Sequence, residues 1–373
     1  MRSLPLLPLS PDPRSTLTEL QALGARWIGP AGAGLSRVGG AGPSDHKAIV
    51  LDGQTVMVPI HTAAASASPF ALRATGAATA RLERDGVVIG SVTFPAAPRF
   101  YERTTADGIP YWKIATLHST DVLATTVLQQ CTRYIDRDSS CQFCAIGGSL
   151  AAGRTIARKT PAQLAEVAHA AVHLDGVRHM VMTTGTPATP DRGARVLAEC
   201  AAAVTARVEL PIQAQCEPPA DDAWFRRLKD AGVVSLGMHL EAVTDEVRRT
   251  IMPGKAEVPL ARYFAAFEAA VRVFGRGQVS TYILAGLGDS ARDIVATCRA
   301  VAGMGVYPFV VPFVPIRGTP LETHPPPKPA FMTQLLAEVA AVVREGGLSQ
   351  ATIKAGCGKC GACSTLRAYE GAA

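Results

Sequence analysis

Residues 131–144 read Cys-Thr-Arg-Tyr-Ile-Asp-Arg-Asp-Ser-Ser-Cys-Gln-Phe-Cys, so three cysteines, Cys131, Cys141 and Cys144, lie within fourteen residues. An apolar run that is typical of a strand, residues 124–128, precedes them. Clustered thiolates in an intracellular chain bind a metal more often than they pair as disulfides. Three thiolates are one short of the usual four for an iron–sulfur cluster, which would leave one iron open to a substrate or cofactor. A structural zinc site and ordinary buried thiols are the alternatives.

The composition limits the class of protein. The 373 residues are enough for a large domain and a smaller one, and 48% of them are hydrophobic. The net charge is +6 without a long basic run, so we expect no nucleic-acid partner. No apolar stretch approaches the roughly 18 residues of a membrane-spanning helix. The apolar start is broken by Pro5 and Pro8 and does not resemble a signal peptide, and nine cysteines, six of them in two clusters, indicate a reducing cytoplasm.

The first third of the chain predicts a small β-rich module. Residues 14–26 have the Ser/Thr start and glycine stop of a short helix. The glycine-rich residues 29–46 favour a flexible connection over a phosphate loop, because they lack the Lys-Ser/Thr pair and a preceding strand. From residue 47 to 94 the pattern is that of strands, with hairpin signals at Asp52-Gly53 and Asp85-Gly86.

After Cys144 apolar runs alternate with helical patterns, which predicts a parallel α/β sheet or barrel. Five of these apolar runs follow Cys144, and the predicted strand before Cys131 brings the number of predicted strands to six. The six predicted strands are residues 124–128, 179–183, 212–216, 233–240, 279–284 and 308–314. The predicted helices are residues 161–174 with Thr160 as N-cap, 191–206, 220–231, 244–251, 260–274, 290–302 and 328–345.

In a parallel barrel the ligand lies at the carboxyl ends of the strands, so polar residues at those positions are candidate site residues. Gln213, Gln215 and Glu217 interrupt or follow an apolar run, and buried polar side chains of this kind need a wet cavity or a partner. The other strand ends and the helix after the fourth strand add further candidates. They are Thr184, Gly185, Thr186, His239, Glu241, Arg262, Gly286 and Gly288.

The segment Cys141-Gln-Phe-Cys144 resembles the end of the radical S-adenosylmethionine (SAM) cluster motif, which has an aromatic residue before its last cysteine. That motif spaces its cysteines C-x3-C-x2-C, whereas this chain has C-x9-C-x2-C. The cluster loop is therefore six residues longer than in the motif. The number and type of the cysteine ligands are unchanged.

The ends of other predicted strands also resemble segments of radical SAM enzymes. Residues 183–187 resemble the segment whose backbone binds the SAM amino group, and His239-Leu-Glu241 resembles a His-x-Glu stretch of lipoyl synthase-like enzymes and of [FeFe]-hydrogenase-maturase-like enzymes. In those enzymes the acidic residue binds the SAM ribose, because a carboxylate accepts two hydrogen bonds in a fork. Arg262, or else Lys255, then resembles the basic residue that meets the SAM carboxylate.

Residues 286–289 and 314–321 are similar to turns of the biotin synthase group. A further likeness is to the radical SAM proteins of bacterial nitrilase-type gene clusters. The resemblance covers about residues 120–325. It implies a partial (β/α)6 radical SAM barrel at residues 121–325, between the β-rich module at 1–120 and a C-terminal helix and cysteine-rich tail at 326–373.

The tail has a second cysteine set, Cys357-Gly-Lys-Cys360-Gly-Ala-Cys363. C-x2-C-x2-C spacing with glycines favours a metal cluster, and a second [4Fe–4S] cluster is the leading interpretation. A structural zinc ion is the alternative and would need a fourth ligand. Cys216 is a candidate for that ligand; otherwise one iron stays open. Cys200 and Cys298 fall in helical patterns and are expected to be core thiols.

The resemblance implies an enzyme that binds SAM at a [4Fe–4S] cluster, cleaves it reductively to a 5′-deoxyadenosyl radical and abstracts hydrogen from a small molecule. It also implies a reducing partner such as flavodoxin or ferredoxin. For the second cluster, sulfur donation or substrate binding is favoured over electron relay. The reaction is then that of a sulfur transferase, a lyase or a bond-forming enzyme, and the sequence does not choose among these three. The alternative is a non-catalytic two-cluster electron carrier or scaffold, against which the polar strand ends argue. No catalytic residue is assigned.

Overall fold

The computed structural model describes residues 13–30 and 46–371. Most of the glycine-rich stretch that was weighed as a connection or a phosphate loop, residues 31–45, lies outside the described residues. Two sheets organise the described part of the chain, one of six strands and one of seven. The strands are β1 (Arg26–Ile28), β2 (His46–Leu51), β3 (Gln54–Pro59), β4 (Phe70–Gly76), β5 (Thr79–Arg84), β6 (Val87–Thr93), β7 (Thr116–His118), β8 (Val122–Thr126), β9 (His179–Thr183), β10 (Ile212–Gln215), β11 (Val233–Gly237), β12 (Val279–Ala285) and β13 (Val306–Pro312).

Helices cover the second sheet and connect its strands. Helix α5 begins with a capping box between Thr160 and Gln163, as the sequence predicts, and ends at Gly176 in the left-handed conformation. The helices are α1 (Pro13–Leu23), α2 (Ala63–Ser66), α3 (Tyr111–Ile114), α4 (Ile146–Ala151), α5 (Pro161–Asp175), α6 (Ala194–Arg207), α7 (Ala223–Asp230), α8 (Asp245–Ile251), α9 (Pro253–Ala256), α10 (Leu260–Phe274), α11 (Ala291–Met304), α12 (Pro329–Glu345), α13 (Cys357–Cys360) and α14 (Leu366–Glu370).

The first sheet confirms the predicted β-rich module. Its strand order is β1-β4-β5-β6-β2-β3, and the pairs are antiparallel except β1 with β4. Both Asp-Gly hairpins have positive φ at their two residues, for example 49° at Asp52 and 75° at Gly53. That geometry matches the right-handed twist of the flanking strands, which explains why Asp-Gly predicts these turns.

The second sheet has the order β13-β12-β11-β10-β9-β8-β7. Strands β8 to β13 are parallel, and β7 adds one antiparallel strand at the edge. The predicted partial barrel of six parallel strands with intervening helices is confirmed. Helices pack on one face of this sheet, where Met180, Met182, Ile212 and Ala214 are fully buried in the main hydrophobic core. Alternate residues, including Gln213 and Gln215, therefore point to the opposite, inner face.

The tail packs on that inner face. Gly356 N donates to His179 Nδ1 at 3.1 Å, and Cys357 N donates to Gln213 Oε1 at 3.0 Å. Both acceptors lie in the first half of their strands, so the tail approaches from the amino ends of the barrel strands. The cysteines of residues 131–144, in contrast, follow the carboxyl end of β8.

The N-terminal module holds the tail from the other side. Met57 N in β3 donates to the Ala362 carbonyl at 2.8 Å, and the Gln21 side chain bonds both Ala362 O and Thr365 N. Because β13 and β7 end the sheet without pairing to each other, the barrel is open on one side. Helix α1 and strand β3 contact the tail directly. No helix in residues 13–30 or 46–371 is long and apolar enough to cross a bilayer.

Candidate functional site

A cavity of about 370 Å³ lies on the inner face of the barrel. Its wall includes all three cysteines of the first set and two of the tail set, Cys357 and Cys363. It also includes Gln21, His46 and Met57 of the N-terminal module. Two cysteine sets that are more than 200 residues apart in sequence therefore face one cavity.

The first set consists of free thiols at the carboxyl end of β8. Cys144 N donates to Cys141 O at 3.0 Å, so these two residues form a tight turn. Burial raises the pKa of Cys144 to about 12, and burial also raises the pKa of Cys141 well above its ordinary value. Thiols whose charged form is disfavoured by burial and by each other suit a bound cationic group, because such a group lowers the free energy of the thiolate.

The long loop between Cys131 and Cys141 is fastened across the cavity by Arg133. Its guanidinium donates two hydrogen bonds to Glu217, at 2.8 and 3.0 Å, and further bonds to Gly254 O and to Glu257. Burial alone would raise the pKa of Glu217, but the hydrogen bond from Arg133 and the charges of Lys255 and Arg133 bring that pKa below its usual value. Sequence reasoning missed Arg133, because an arginine in a polar loop is most often solvated.

Backbone contacts fasten the same loop. Thr132 N donates to Thr186 O at 2.8 Å, and Gly254 N donates to Ser139 O at 2.9 Å. Gln142 N donates to Ile251 O at 2.8 Å. The six extra residues of the C-x9-C spacing therefore lie across the loops that follow β9 and β11.

Glu241 and Lys255 form a buried ion pair on the cavity wall, with Lys255 Nζ 2.6 Å from Glu241 Oε2. Burial lowers the pKa of Lys255, but Glu241, Tyr263, Cys141 and Glu217 together raise it above its ordinary value. The backbone of Glu241 has a φ of 65°, which costs about 1–3 kcal/mol in a non-glycine residue. Strained backbone at a charged cavity residue is typical of a functional site.

His239 also lines the cavity. Tyr282 N donates to His239 Nδ1 at 3.2 Å, so the ring proton is on Nε2. Burial lowers the pKa of His239 to about 3, and the imidazole is therefore neutral. Nε2 is buried and has no hydrogen-bond partner within the described part of the chain. An unpartnered buried N–H on a cavity wall is typical of a site that awaits an acceptor on a ligand.

Thr184, Gly185 and Thr186 lie on the cavity wall after β9. Thr186 Oγ1 donates to Glu217 at 2.8 Å, and Gly185 N donates to Leu128 O at 2.8 Å. A Cβ at Gly185 would overlap with the carbonyl of Gln130, the residue before Cys131. Glycine at this position therefore lets two backbone segments meet beside the cysteine loop.

We expect Gly185→Ala to displace the Gln130 peptide and destabilise the protein by about 1–3 kcal/mol, as overpacking does. Chemical denaturation would measure this loss, and iron content after anaerobic reconstitution should fall with it. Gly303→Ala is the matched control. A Cβ at Gly303, within α11, meets nothing within 4 Å, so that variant should be neutral or more stable by up to about 1 kcal/mol. Equal effects of the two variants would contradict this role of Gly185.

Three candidates from the sequence do not line the cavity. Arg262 donates to Pro219 O and pairs with Asp222 at the beginning of α7. Gly286 and Gly288 have φ values of 107° and 125° and shape the turn after β12, where Gly286 O is 2.9 Å from His324 Nε2. Lys255, the other basic residue that the sequence offers, lines the cavity, whereas Arg262 lies on α10 and points toward the beginning of α7.

The tail cysteines have polar neighbours of their own. Gln215 Nε2 donates to Cys357 Sγ at 3.2 Å, and His118 Nε2 lies 3.4 Å from Cys363 Sγ. The Tyr282 hydroxyl is within hydrogen-bonding reach of both thiols. Burial raises the pKa of Cys360 to about 12, and the Ser119 hydroxyl bonds its thiol.

No three His, Cys, Asp or Glu side chains in the described ranges are arranged to hold a single metal ion, and this applies to both cysteine sets. Cys216, the candidate fourth ligand, belongs to the main hydrophobic core and also borders the cavity. Cys200 and Cys298 are fully buried in the two larger cores, as expected.

Part of the chain matches a known protein family. Residues 130–301 match the family model of the radical SAM superfamily. Bacteriochlorophyllide c C-7(1)-hydroxylase of Chlorobaculum limnaeum is 31% identical over 134 residues, 35% of this chain and 33% of the relative. Dual-specificity RNA methyltransferase RlmN of Anaeromyxobacter sp. (strain Fw109-5) is 31% identical over 140 residues, 36% of each chain. The chain thus spans about a third of the length of these relatives.

Solved structures with a similar fold include methylornithine synthase (PylB), with a TM-score of 0.47 and 18% identity over 66% of this chain and 68% of that one. A radical SAM methyltransferase from Sphaerobacter thermophilus has a TM-score of 0.47 and 16% identity over 78% of this chain and 76% of that one.

Proposed function

Since residues 130–301 match the family model of the radical SAM superfamily, we propose that this chain is an enzyme that cleaves SAM reductively and abstracts hydrogen from a small molecule. The observation that carries the proposal is the cavity on the inner face of the barrel. There the free thiols of Cys131, Cys141 and Cys144 lie beside two buried ion pairs. An electron carrier or scaffold needs no charged cavity, and this favours the enzyme over the non-catalytic alternative.

A [4Fe–4S] cluster with an open iron, when bound, supplies the electron that splits the sulfonium C–S bond of SAM and yields the 5′-deoxyadenosyl radical. The three cysteines would hold this cluster. Glu241 fits the ribose hydroxyls, and Lys255, which it pairs with, fits the SAM carboxylate. Residues 184–186 line the same cavity. Arg133 and Glu217 neutralise each other and keep the cysteine loop in place.

The tail cysteines support a second [4Fe–4S] cluster in our proposal. The thiols of Cys357 and Cys363 border the cavity, so this cluster would meet the substrate directly. Sulfur donation or substrate ligation suits that position better than electron relay. The site does not favour any one of sulfur transferases, lyases and bond-forming enzymes over the other two.

The partner classes are also part of the proposal. A cavity of about 370 Å³ suits a small molecule. The net charge of +6 without a basic run argues against an RNA substrate, although one of the sequence relatives above, RlmN, is an RNA methyltransferase. A flavodoxin- or ferredoxin-like protein would supply electrons. Such partners would favour a cytoplasmic location for the proposed enzyme.

Electron paramagnetic resonance (EPR) tests the proposal. In reduced, anaerobically reconstituted protein, SAM should change the cluster spectrum, because SAM would bind the open iron of the first cluster. The same change is expected in the Cys357→Ala/Cys360→Ala/Cys363→Ala variant and should be lost in the Cys131→Ala/Cys141→Ala/Cys144→Ala variant. A wild-type spectrum that SAM leaves unchanged would sink the proposal.

A further inference from the structure

Arg248 is a fully buried cation beside the two segments that carry the Glu241–Lys255 ion pair. Its side chain is 0% exposed, although arginine is almost never fully buried without a charged partner. In the described part of the chain its hydrogen bonds all go to backbone carbonyls, and its Nε has no partner. A buried charge without a countercharge raises the free energy of the folded protein. Packing alone therefore does not explain an arginine at this position.

The guanidinium joins the two backbone segments of the ion pair. One terminal nitrogen of Arg248 donates to Leu240 O, directly before Glu241, at 3.1 Å. The other donates to Val258 O at 2.9 Å and to Lys255 O at 3.4 Å. The planar fork of arginine suits such a double contact, because its donors have fixed directions. Arg248 thus ties the turn of Glu241 to the segment of Lys255.

The turn at Glu241 needs support from its surroundings. Its φ of 65° is costly for a non-glycine residue, and such a conformation persists only where neighbouring structure holds it. From β12, Tyr282 O accepts from Glu241 N and Leu284 N donates to Glu241 O, both at 2.8 Å. From α8, Arg248 bonds the carbonyl that precedes Glu241. Two elements therefore fix the backbone that directs the Glu241 carboxylate.

Tyr263 keeps the guanidinium in place. The guanidinium carbon of Arg248 lies 5.1 Å from the centre of the Tyr263 ring, which is the geometry of a cation–π contact, and Tyr263 is fully buried in α10. The Tyr263 hydroxyl has no hydrogen-bond partner among the residues that the structure describes. The contact to Arg248 therefore depends on the ring face and not on the hydroxyl.

We propose that Arg248 is a positioning residue of the SAM site, because it clamps the backbones of Glu241 and Lys255 together and so sets the relative position of the carboxylate and the ammonium. This inference rests on the proposed function, in which that pair binds the ribose and the carboxylate of SAM. Arg248 does not line the cavity, so it acts through the other two residues.

Equilibrium dialysis of SAM against anaerobically reconstituted protein tests the inference. Arg248→Met should weaken SAM binding by about tenfold, which is about 1.4 kcal/mol. Arg248→Lys should recover little of that affinity, because an ammonium keeps the charge but lacks the fork that reaches two segments. Full SAM affinity in Arg248→Lys would overturn the clamp, since the charge alone would then be enough.

A double-mutant cycle separates positioning from a general loss of structure. If Arg248 acts through Lys255, the loss of SAM affinity in Arg248→Met/Lys255→Met should be at least about threefold smaller than the product of the two single losses. Single losses that simply multiply would mean independent effects and would contradict the inference.

Arg276→Met is the matched control. The Arg276 guanidinium also joins two backbone carbonyls, Gly303 O at 3.2 Å and Gly346 O at 2.7 Å, but none of these three residues lines the cavity. This variant should bind SAM as the wild type does. Equal losses in Arg276→Met and Arg248→Met would show that the removal of any bridging arginine has this effect, and the specific role of Arg248 would fall.

The outcomes also separate this inference from the proposed function. Unchanged SAM affinity in both Lys255→Met and Arg248→Met contradicts the proposed role of the ion pair. A loss in Lys255→Met without a loss in Arg248→Met contradicts only the clamp. Chemical denaturation shows whether each variant is folded, and if Arg248→Met is not, Arg248→Lys decides the question by a clear loss of SAM affinity or by none.

Discussion

Cys141→Ala is expected to lower 5′-deoxyadenosine formation from SAM to the level of protein without a cluster. Cys141 is one of three ligands in the proposed SAM-binding cluster, and two thiolates do not hold a [4Fe–4S] cluster with an open iron. The measurement is chromatography of nucleosides after anaerobic reconstitution and reduction with dithionite. Iron should fall from about eight to about four per chain, because the tail cluster stays.

Cys298→Ala is the matched control for this result. Cys298 lies within α11, is fully buried in a hydrophobic core and does not border the cavity. The variant should keep about eight irons and form 5′-deoxyadenosine at the wild-type rate per folded protein. Turnover by Cys141→Ala that equals the control would show that this cysteine does not hold the cluster.

Lys255→Met is expected to weaken SAM binding by about 30-fold or more. Removal of one partner from a buried, hydrogen-bonded charge pair costs about 2–5 kcal/mol, and 1.4 kcal/mol is about tenfold in affinity. The variant leaves Glu241 without its cation and removes the positive charge that fits the SAM carboxylate. Equilibrium dialysis with labelled SAM under anaerobic conditions measures the dissociation constant.

Two variants make this prediction specific. Lys255→Arg keeps the charge and should recover most of the affinity. Arg262→Ala should change SAM affinity by no more than about threefold, because an ion pair as exposed as that with Asp222 contributes about 1 kcal/mol or less. A larger loss in Arg262→Ala than in Lys255→Met would reverse the assignment and restore the residue that the sequence favours.

The barrel was predictable because its signals are local. Each buried parallel strand is a short apolar run, and each of the six predicted runs overlaps one of β8 to β13. The module was predicted less completely. Strand β4, Phe70–Gly76, escaped notice because its second half is exposed and contains Arg73 and Gly76, which interrupt the alternation of a typical strand.

The site depends on contacts that sequence spacing does not encode. The polar residues Gln213 and Gln215 signalled an interior partner, but nothing in the sequence identified that partner as the tail. Lys255 and Arg262 are seven residues apart and chemically similar, and only the direction of α9 and α10 separates them. In the sequence, only the unusual length of the loop that contains Arg133 indicated a role for this residue.

The central claim is that two iron–sulfur clusters face one cavity, and EPR of the fully reduced protein tests it most directly. The spectrum of the wild type is compared with the sum of the spectra of the two triple-alanine variants, each of which would keep one cluster. We predict that the wild-type spectrum is broadened or split by spin–spin coupling and differs from the sum. A wild-type spectrum identical to the sum, or to that of one variant alone, would contradict the account.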